Sequence, residues 1–353
     1  MKIFYKFFIV IYLSLSFSLD SQSPIRYAIY GIIPGLGQAL LGNYLDAAIQ
    51  FTLFGGFLYG AREMAKRKDY VVDSYIDFDL KEAIYSDYYR RYILPNIYPP
   101  TNPRIAILRK NLQLLKDGKW FEINPLIEYG NYERKTYAST GSELLFQSAQ
   151  HVWFYSIYSS YRDAGGIGSY HKENYLDLVV APFQWRYLNN FYFWIPIGVL
   201  GSIIAYNTTN PPKNPTYTLL YPGMKKNGYM NFYSTVLSFN AAVSEEAFFR
   251  GFLNHYIIQE TNFEVGLVSS SLIFGLAHYY NGIGNVFVAT IMGVYLGYLH
   301  YKNNWDFRQS IAIHFWWNML ILLNQIRYMK EDRNVLREER DVYFMPVYYQ
   351  VKF

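Results

Sequence analysis

The chain has 353 residues, no cysteine and a net charge of +5. The absence of cysteine excludes disulfides, thiolate metal sites and cysteine-nucleophile mechanisms. The charge is modest and its basic residues adjoin apolar segments, which favours anchoring to an anionic lipid bilayer over nucleic-acid binding. The 38 Tyr and 26 Phe are unusually many, and amphipathic aromatic rings suit a boundary between lipid and water.

Residues 1–22 have the layout of a secretory signal peptide. Two lysines precede an apolar run from Phe7 to Leu19, and polar residues follow it. The run is short for a membrane span, which favours a cleaved signal peptide over an uncleaved anchor.

Residues 23–68 contain two short apolar pieces separated by the sequence PGLGQ, which begins at Pro34. Proline and glycine at this spacing predict a turn, so we expect a short membrane hairpin or a kinked helix pair. The hairpin ends in a basic cluster, which places that end in the cytoplasm by the positive-inside rule. The cluster comprises Arg62, Lys66, Arg67 and Lys68.

Residues 69–188 are predicted to form a polar, Tyr-rich insertion outside the membrane. From residue 69 to about residue 135 no apolar run reaches the length of a span. Ile105–Leu115 has the apolar spacing of an amphipathic helix, and Glu143–Arg162 has the pattern of a helix at the membrane interface.

Residues 189–327 are predicted to form the membrane core, and the charged residues 328–353 a solvated tail. Apolar segments of helical length follow one another in this core, separated by proline, glycine and asparagine. The predicted fold class is therefore all-α, a multi-spanning transmembrane helical bundle with a polar, Tyr-rich extramembrane insertion. The segments are Phe191–Tyr206, Asn231–Gln259, Val265–His278, Ile283–Tyr301 and Ser310–Ile326.

Two adjacent acids, Glu245 and Glu246, lie within an apolar helix after a long stretch without acidic residues. Charge in such a helix is costly, so it marks a functional site by default. Glu246 and Arg250 have the favourable i,i+4 order and partly neutralise each other. Glu245 points about 100° away around the helix and lacks that partner. Because burial disfavours its anion, Glu245 is the candidate general base; the alternative is that both acids pair with Arg250 to fix helix packing.

Two later helices add further polar candidates. His278 ends a helix rich in serine and glycine, and small residues would let this helix approach the one carrying Glu245. His314 and Asn318 are four residues apart on one face, where two hydrogen-bond donors suit an oxyanion. The alternatives are a helix-end residue for His278 and interhelical hydrogen bonding for the other two.

The three motifs in this order resemble the CPBP (CAAX protease and bacteriocin-processing, or Abi) family of intramembrane glutamic proteases. They are E-E-x-x-x-R, F-x-x-x-H from Phe274 to His278, and H-x-x-x-N, within the strings SEEAFFRG, SSSLIFGLAH and AIHFWWN. The resemblance covers about residues 191–326, and fewer clear spans precede the first motif than is usual in the family.

The resemblance implies an intramembrane endopeptidase with a water-containing cavity. By motif position, Glu245 and His278 would activate water, while His314 and Asn318 would stabilise the oxyanion. Glu246 and Arg250 would support the site. The substrate would be a membrane-associated peptide or protein, in a bacterial inner (cytoplasmic) membrane. No cofactor is required by this scheme, although one Glu and two His could serve a zinc ion if the metalloprotease label given to some members holds.

Rival functions make different demands on the sequence. A rhomboid-like serine protease needs a G-x-S-x-G element and an aspartyl protease needs two membrane aspartates, and the spans contain neither. A non-catalytic membrane scaffold, chaperone or immunity protein of the same fold stays open, as does a carrier that uses Glu245 and the histidines as a proton relay. Detection of peptide cleavage would distinguish the enzyme from the non-catalytic protein and from the carrier.

Overall fold

The structure of the protein is a computed structural model. It describes residues 23–67, 132–168, 173–209, 217–221, 223–279 and 282–331. The signal-like residues 1–22, the Ile105–Leu115 segment and nearly all of the charged tail lie outside the described residues.

Helices dominate the described residues, which confirms the predicted all-α class. A π-helical segment, Ala247–Asn254, joins α8 to α9 and is called the π segment below. The α-helices are α1 (Pro24–Tyr30), α2 (Leu36–Leu40), α3 (Tyr44–Ala65), α4 (Tyr137–Asp163), α5 (Tyr175–Val180), α6 (Trp185–Leu188), α7 (Phe191–Thr209), α8 (Tyr229–Glu246), α9 (His255–Glu260), α10 (Phe263–Ala277), α11 (Ile283–Lys302) and α12 (Arg308–Tyr328). The last four predicted core segments begin and end within two residues of these helical boundaries.

Three short strands accompany the helices. They are β1 (Tyr132–Lys135), β2 (Tyr217–Leu220) and β3 (Lys330–Glu331), in a parallel sheet of order β1-β2-β3. In this sheet Tyr132 is opposite Tyr217, and Leu219 is opposite Lys330.

The chain divides into two compact units. Of the described residues, unit 1 contains 23–65 together with those within Gly141–Ile204 and Asn231–Leu323, and unit 2 contains the others, with the small sheet. Most of α4 therefore packs in unit 1, although its residues fall within the predicted insertion 69–188.

Helix α4 is buried in unit 1, where the sequence pattern predicted an interfacial helix. Its residues Ile157, Tyr158 and Tyr161 belong to the largest hydrophobic cluster, and each is at most 3% exposed. Several polar residues of α4 are buried serines whose hydroxyls have partners within the protein. Ser160 donates to the Ser156 carbonyl at 2.7 Å, and Ser159 accepts from Gln50 of α3 at 3.1 Å.

Two described helices are long and apolar enough to cross a membrane, namely α7 and α11, and α10 is a shorter apolar helix. Large apolar side chains of α7 are exposed over much of its length, including Trp194, Val199 and Ile203. An exposed apolar surface of this kind suits contact with lipid.

Helices α10 and α11 approach each other closely through small residues. A Cβ atom on Gly275 would lie 2.8 Å from the Val286 carbonyl oxygen and would overlap the Thr290 hydroxyl. Similarly, a Cβ atom on Gly293 would lie 3.0 Å from Ser271. The small face of α10 thus packs mainly on α11, and this contact positions the end of α10, where His278 lies.

We predict that Gly275→Ala lowers the free energy of unfolding by about 1–3 kcal/mol, because the added methyl group overpacks the contact between α10 and α11. Thermal unfolding in detergent measures the loss. The matched control is Gly198→Ala on α7, where nothing lies within 4 Å of the added Cβ atom. Equal unfolding midpoints for the two variants would contradict the close approach.

Candidate active site

The paired glutamates are the last residues of α8, directly before the π segment. In the π segment the backbone pairs residues five apart, as when the His255 N–H donates to the Arg250 carbonyl. Such insertions in a helix often mark functional sites because they rotate the following side chains.

Glu246 is fully buried between two partners. Its Oε1 accepts a hydrogen bond from Nδ1 of His314 at 2.7 Å, and its Oε2 lies 3.2 Å from Nε of Arg250. The structure thus contains the predicted i,i+4 pair and adds a contact with His314. The Arg250 guanidinium also lies 4.2 Å above the centre of the Phe274 ring, a cation–π contact with α10.

Glu245 faces the two motif histidines instead of Arg250. Its Oε2 is buried and has no hydrogen-bond partner among the described residues. That atom lies 3.8 Å from Nε2 of His278 and 3.9 Å from Nε2 of His314. These separations exceed a hydrogen bond, and polar atoms at such a distance are commonly bridged by water.

The hydrogen bonds of the histidines determine which ring nitrogens carry protons. Nδ1 of His278 lies 2.8 Å from the Phe274 carbonyl, which can only accept, so Nδ1 is protonated. Nδ1 of His314 is protonated for the same reason, because it faces the Glu246 carboxylate. When the His278 ring is neutral, its Nε2 carries a lone pair, whereas Nε2 of His314 accepts or donates according to the protonation of that ring. Oε2 of Glu245 therefore has the imidazole edges of both histidines within 4 Å.

Asn318 lies one turn after His314 on α12 and is partly buried. Its amide has no hydrogen bond to any other part of the chain that the structure describes. The structure therefore brings together five of the six predicted site residues through side-chain contacts. Asn318, the sixth, lies on the same helix as His314 but makes no such contact with the others.

Two imidazoles and one carboxylate are a ligand set that catalytic zinc sites use. Among the residues that the structure describes, however, no group of three or more His, Asp or Glu side chains is placed to hold a metal ion. The residues present do not fit a zinc site, and no chemical step is derived through one.

Residues 228–320 match the family model described as "Type II CAAX prenyl endopeptidase Rce1-like". This segment contains all three motifs and all six predicted site residues. Over these residues the chain is similar to the CPBP family. No curated protein and no solved structure matches the chain. The match supports a CAAX-type endopeptidase in general, a class that is membrane-embedded and acts on membrane-associated peptide substrates.

The sequence alone did not indicate that α4 supports the site. The Tyr158 ring packs against Gly251, the residue after Arg250, and a Cβ atom there would lie 2.5 Å from the ring. The Tyr158 hydroxyl donates to Oε2 of Glu173 at 3.2 Å. The only sequence signal was the glycine that follows the arginine of the first motif.

Glu173 is a second buried acid, outside the predicted site. It is 3% exposed, and its Oε1 has no hydrogen-bond partner among the described residues. Burial, reinforced by the nearby charge of Asp306, raises the pKa of Glu173 to about 7, although Arg308 opposes the shift. Ionised Glu173 is therefore unfavourable in the folded protein.

We predict that Glu173→Gln removes a pH dependence of stability. The folded pKa is above the ordinary value of 4.5, so the folded state holds its proton longer, and stability falls as the pH rises from about 4.5 to 7. The expected loss is about 3 kcal/mol and persists at higher pH. Unfolding midpoints at pH 5.5 and pH 8 measure it.

The matched control is Glu260→Gln at an exposed acid, which should keep the fall in stability between the two pH values. An unchanged fall in Glu173→Gln would show that another group titrates.

Proposed function

We propose that the protein hydrolyses a peptide bond of a membrane-associated protein or peptide with water activated by Glu245 and His278. The observation that supports this proposal is the position of Oε2 of Glu245, a buried acceptor without a hydrogen-bond partner among the described residues, 3.8 Å from Nε2 of His278. A buried acceptor requires a hydrogen donor, and a water molecule at this separation can donate to Glu245 while the neighbouring imidazole orients it.

Glu245 acts as the general base in this proposal. Water donates one hydrogen bond to Oε2 of Glu245 and the other to Nε2 of His278, which orients its oxygen toward the substrate. As the oxygen attacks the carbonyl carbon, its proton passes to Glu245. The proton then goes to the leaving amide nitrogen, the C–N bond breaks, and Glu245 is ready for another cycle.

His314 stabilises the oxyanion in its protonated form. Its Nδ1 is occupied by Glu246, so only Nε2 can reach the substrate, and it must carry a proton to donate. The Glu246 carboxylate stabilises that imidazolium, as the buried acid does in a serine-protease triad. A rotation of the Asn318 side chain would add a second donor from one turn away. Arg250 holds Glu246 in place through their ion pair.

The setting of the reaction is a bacterial inner (cytoplasmic) membrane. Arg62, Lys66 and Arg67 at the end of α3 and beyond it form a basic cluster, which the positive-inside rule assigns to the cytoplasm. The substrate classes that fit the family resemblance are prenylated tails, bacteriocin leaders and lipoprotein signals.

We expect Glu245→Gln to abolish turnover, a loss of at least about a thousandfold, because an amide cannot take the proton. The measurement is cleavage of peptide substrates by the purified protein in detergent or liposomes. The control, Glu264→Gln, changes an exposed acid on α10 and should retain full activity. Full activity in Glu245→Gln would exclude the mechanism, and proton flux without cleavage in the native protein would favour a carrier.

Two further experiments use the same purified protein. A strong chelator should leave turnover unchanged, whereas a loss that zinc restores would indicate a metalloenzyme. Substrate trapping with Glu245→Gln, followed by mass spectrometry, distinguishes the three substrate classes.

Glu246→Gln should lower kcat at least about a hundredfold with little change in KM, because His314 loses the charge that stabilises its protonated form. The change also leaves Arg250 buried without its ion pair, which costs about 3–5 kcal/mol and could unfold the protein.

The double variant Glu246→Gln with Arg250→Met removes both charges and should restore the unfolding midpoint without restoring kcat. Recovery of kcat together with stability would mean that Glu246 serves packing alone.

A further inference from the structure

Four buried side chains of unit 1 carry polar nitrogens that have no hydrogen-bond partner among the described residues. Each side chain is at most 2% exposed. An unpaired buried polar group costs about 1–3 kcal/mol, so several in one region point to an unseen partner. The atoms are Nη1 and Nη2 of Arg250, Nδ2 of Asn254, Nε2 of His255 and Nδ1 of His300.

These side chains form one cluster. Asn254 and His255 follow Arg250 by four and five residues, about one turn, at the end of the π segment and the start of α9. The rings of His255 and His300 both pack on Trp305, with centroids 4.4 Å and 5.2 Å away. A Cβ atom on Gly297, one turn before His300, would lie 3.5 Å from Nδ2 of Asn254. Both Arg250 and His255 are near enough to His300 for their charges to act on it.

The cluster presents donors and acceptors that do not pair directly. Arg250 and Asn254 offer N–H groups, since Oδ1 of Asn254 is taken by the Ser270 hydroxyl at 2.9 Å. His300 offers a lone pair, because its Nε2 donates to the Trp305 carbonyl at 3.0 Å and leaves Nδ1 as an acceptor. A cation would be repelled by Arg250, and an anion by the His300 lone pair. Water donates and accepts, and satisfies both sides.

We propose that Arg250, Asn254, His255 and His300 hold a file of internal water molecules that supplies the catalytic centre. The inference rests on the proposed hydrolytic function, which consumes one water in each cycle. Arg250 connects the two sites, because its Nε holds Glu246 while its Nη atoms face the file.

The outer end of the file lies at the loop between α11 and α12. Asn304 and Trp305 have φ values of 54° and 67°, a left-handed conformation that costs a non-glycine residue about 1–3 kcal/mol. This conformation brings the Trp305 carbonyl to His300 and its ring onto both histidines. Asn304 is exposed and Trp305 half-buried, so Trp305 closes the file toward the loop.

X-ray radiolytic labelling of the full-length protein tests this file, because the method oxidises side chains next to bound water and mass spectrometry locates them. We expect labelling of His255, His300 and Trp305, and none of the buried apolar Leu299 and Ile313. Asn254→Leu, which fills the site with an apolar side chain of similar size, should abolish the labelling of both histidines. Ser270 keeps a partner in that variant, since its hydroxyl can donate instead to the Leu267 carbonyl, 3.3 Å away.

The matched control is Gln50→Leu, which removes another buried amide with an unpartnered atom, on α3. It should leave the labelling of His255 and His300 unchanged. In the activity assay, Asn254→Leu should lower kcat and leave KM unchanged. Histidines as unlabelled as Leu299 in the native protein, or labelling unchanged by Asn254→Leu, would overturn the proposal. If the labelling is as expected but the protein cleaves no peptide, the internal water molecules are supported and only the proposed hydrolytic function is rejected.

Discussion

The buried carboxylate of Glu246 is the constraint on which the rest of the site depends. An isolated anion at this depth would cost several kcal/mol, and two partners offset that cost, Arg250 within the same continuous helix and His314 on α12. The residue therefore joins two helices through charge where their surroundings are apolar. Removal of Arg250 or His314 would leave the buried charge of Glu246 less compensated. This requirement holds His314 in one orientation, with Nε2 turned toward Glu245.

Glu245 lies on a different side of the helix from Glu246, and this position determines its contacts. Consecutive residues on a helix diverge by about 100°, so Glu245 cannot reach the Arg250 side that Glu246 occupies and instead faces the histidines. His278 reaches the same place from α10, whose position depends on the contact of Gly275 with α11. The geometry around Glu245 is thus the product of one ion pair and one close helix contact, neither of which involves the substrate.

The sequence predicted the parts of this site that depend on local spacing. The four-residue separation predicted the pair of Glu246 and Arg250, and helical periodicity predicted the last four core segments to within two residues. It did not predict the bond from Glu246 to His314, because that depends on how two distant helices rotate against each other. The π segment was equally inaccessible, since a shift from four-residue to five-residue backbone pairing is decided by tertiary packing. The burial of α4 was not predicted, because serines that bond their own backbone look polar in sequence although they are buried.

A hydrolase in an apolar environment faces opposing demands, because low polarity strengthens every charge in the site but excludes the water that the reaction consumes. Different atoms of the Arg250 side chain contribute to each of these two requirements. Its Nε pairs with Glu246, its flat face covers Phe274, and its buried Nη atoms have no hydrogen-bond partner among the described residues. A lysine would keep the charge but has a single compact ammonium, which cannot hold the acid and extend donors in a second direction. The planar, forked geometry of arginine thus explains why this residue type follows the paired glutamates.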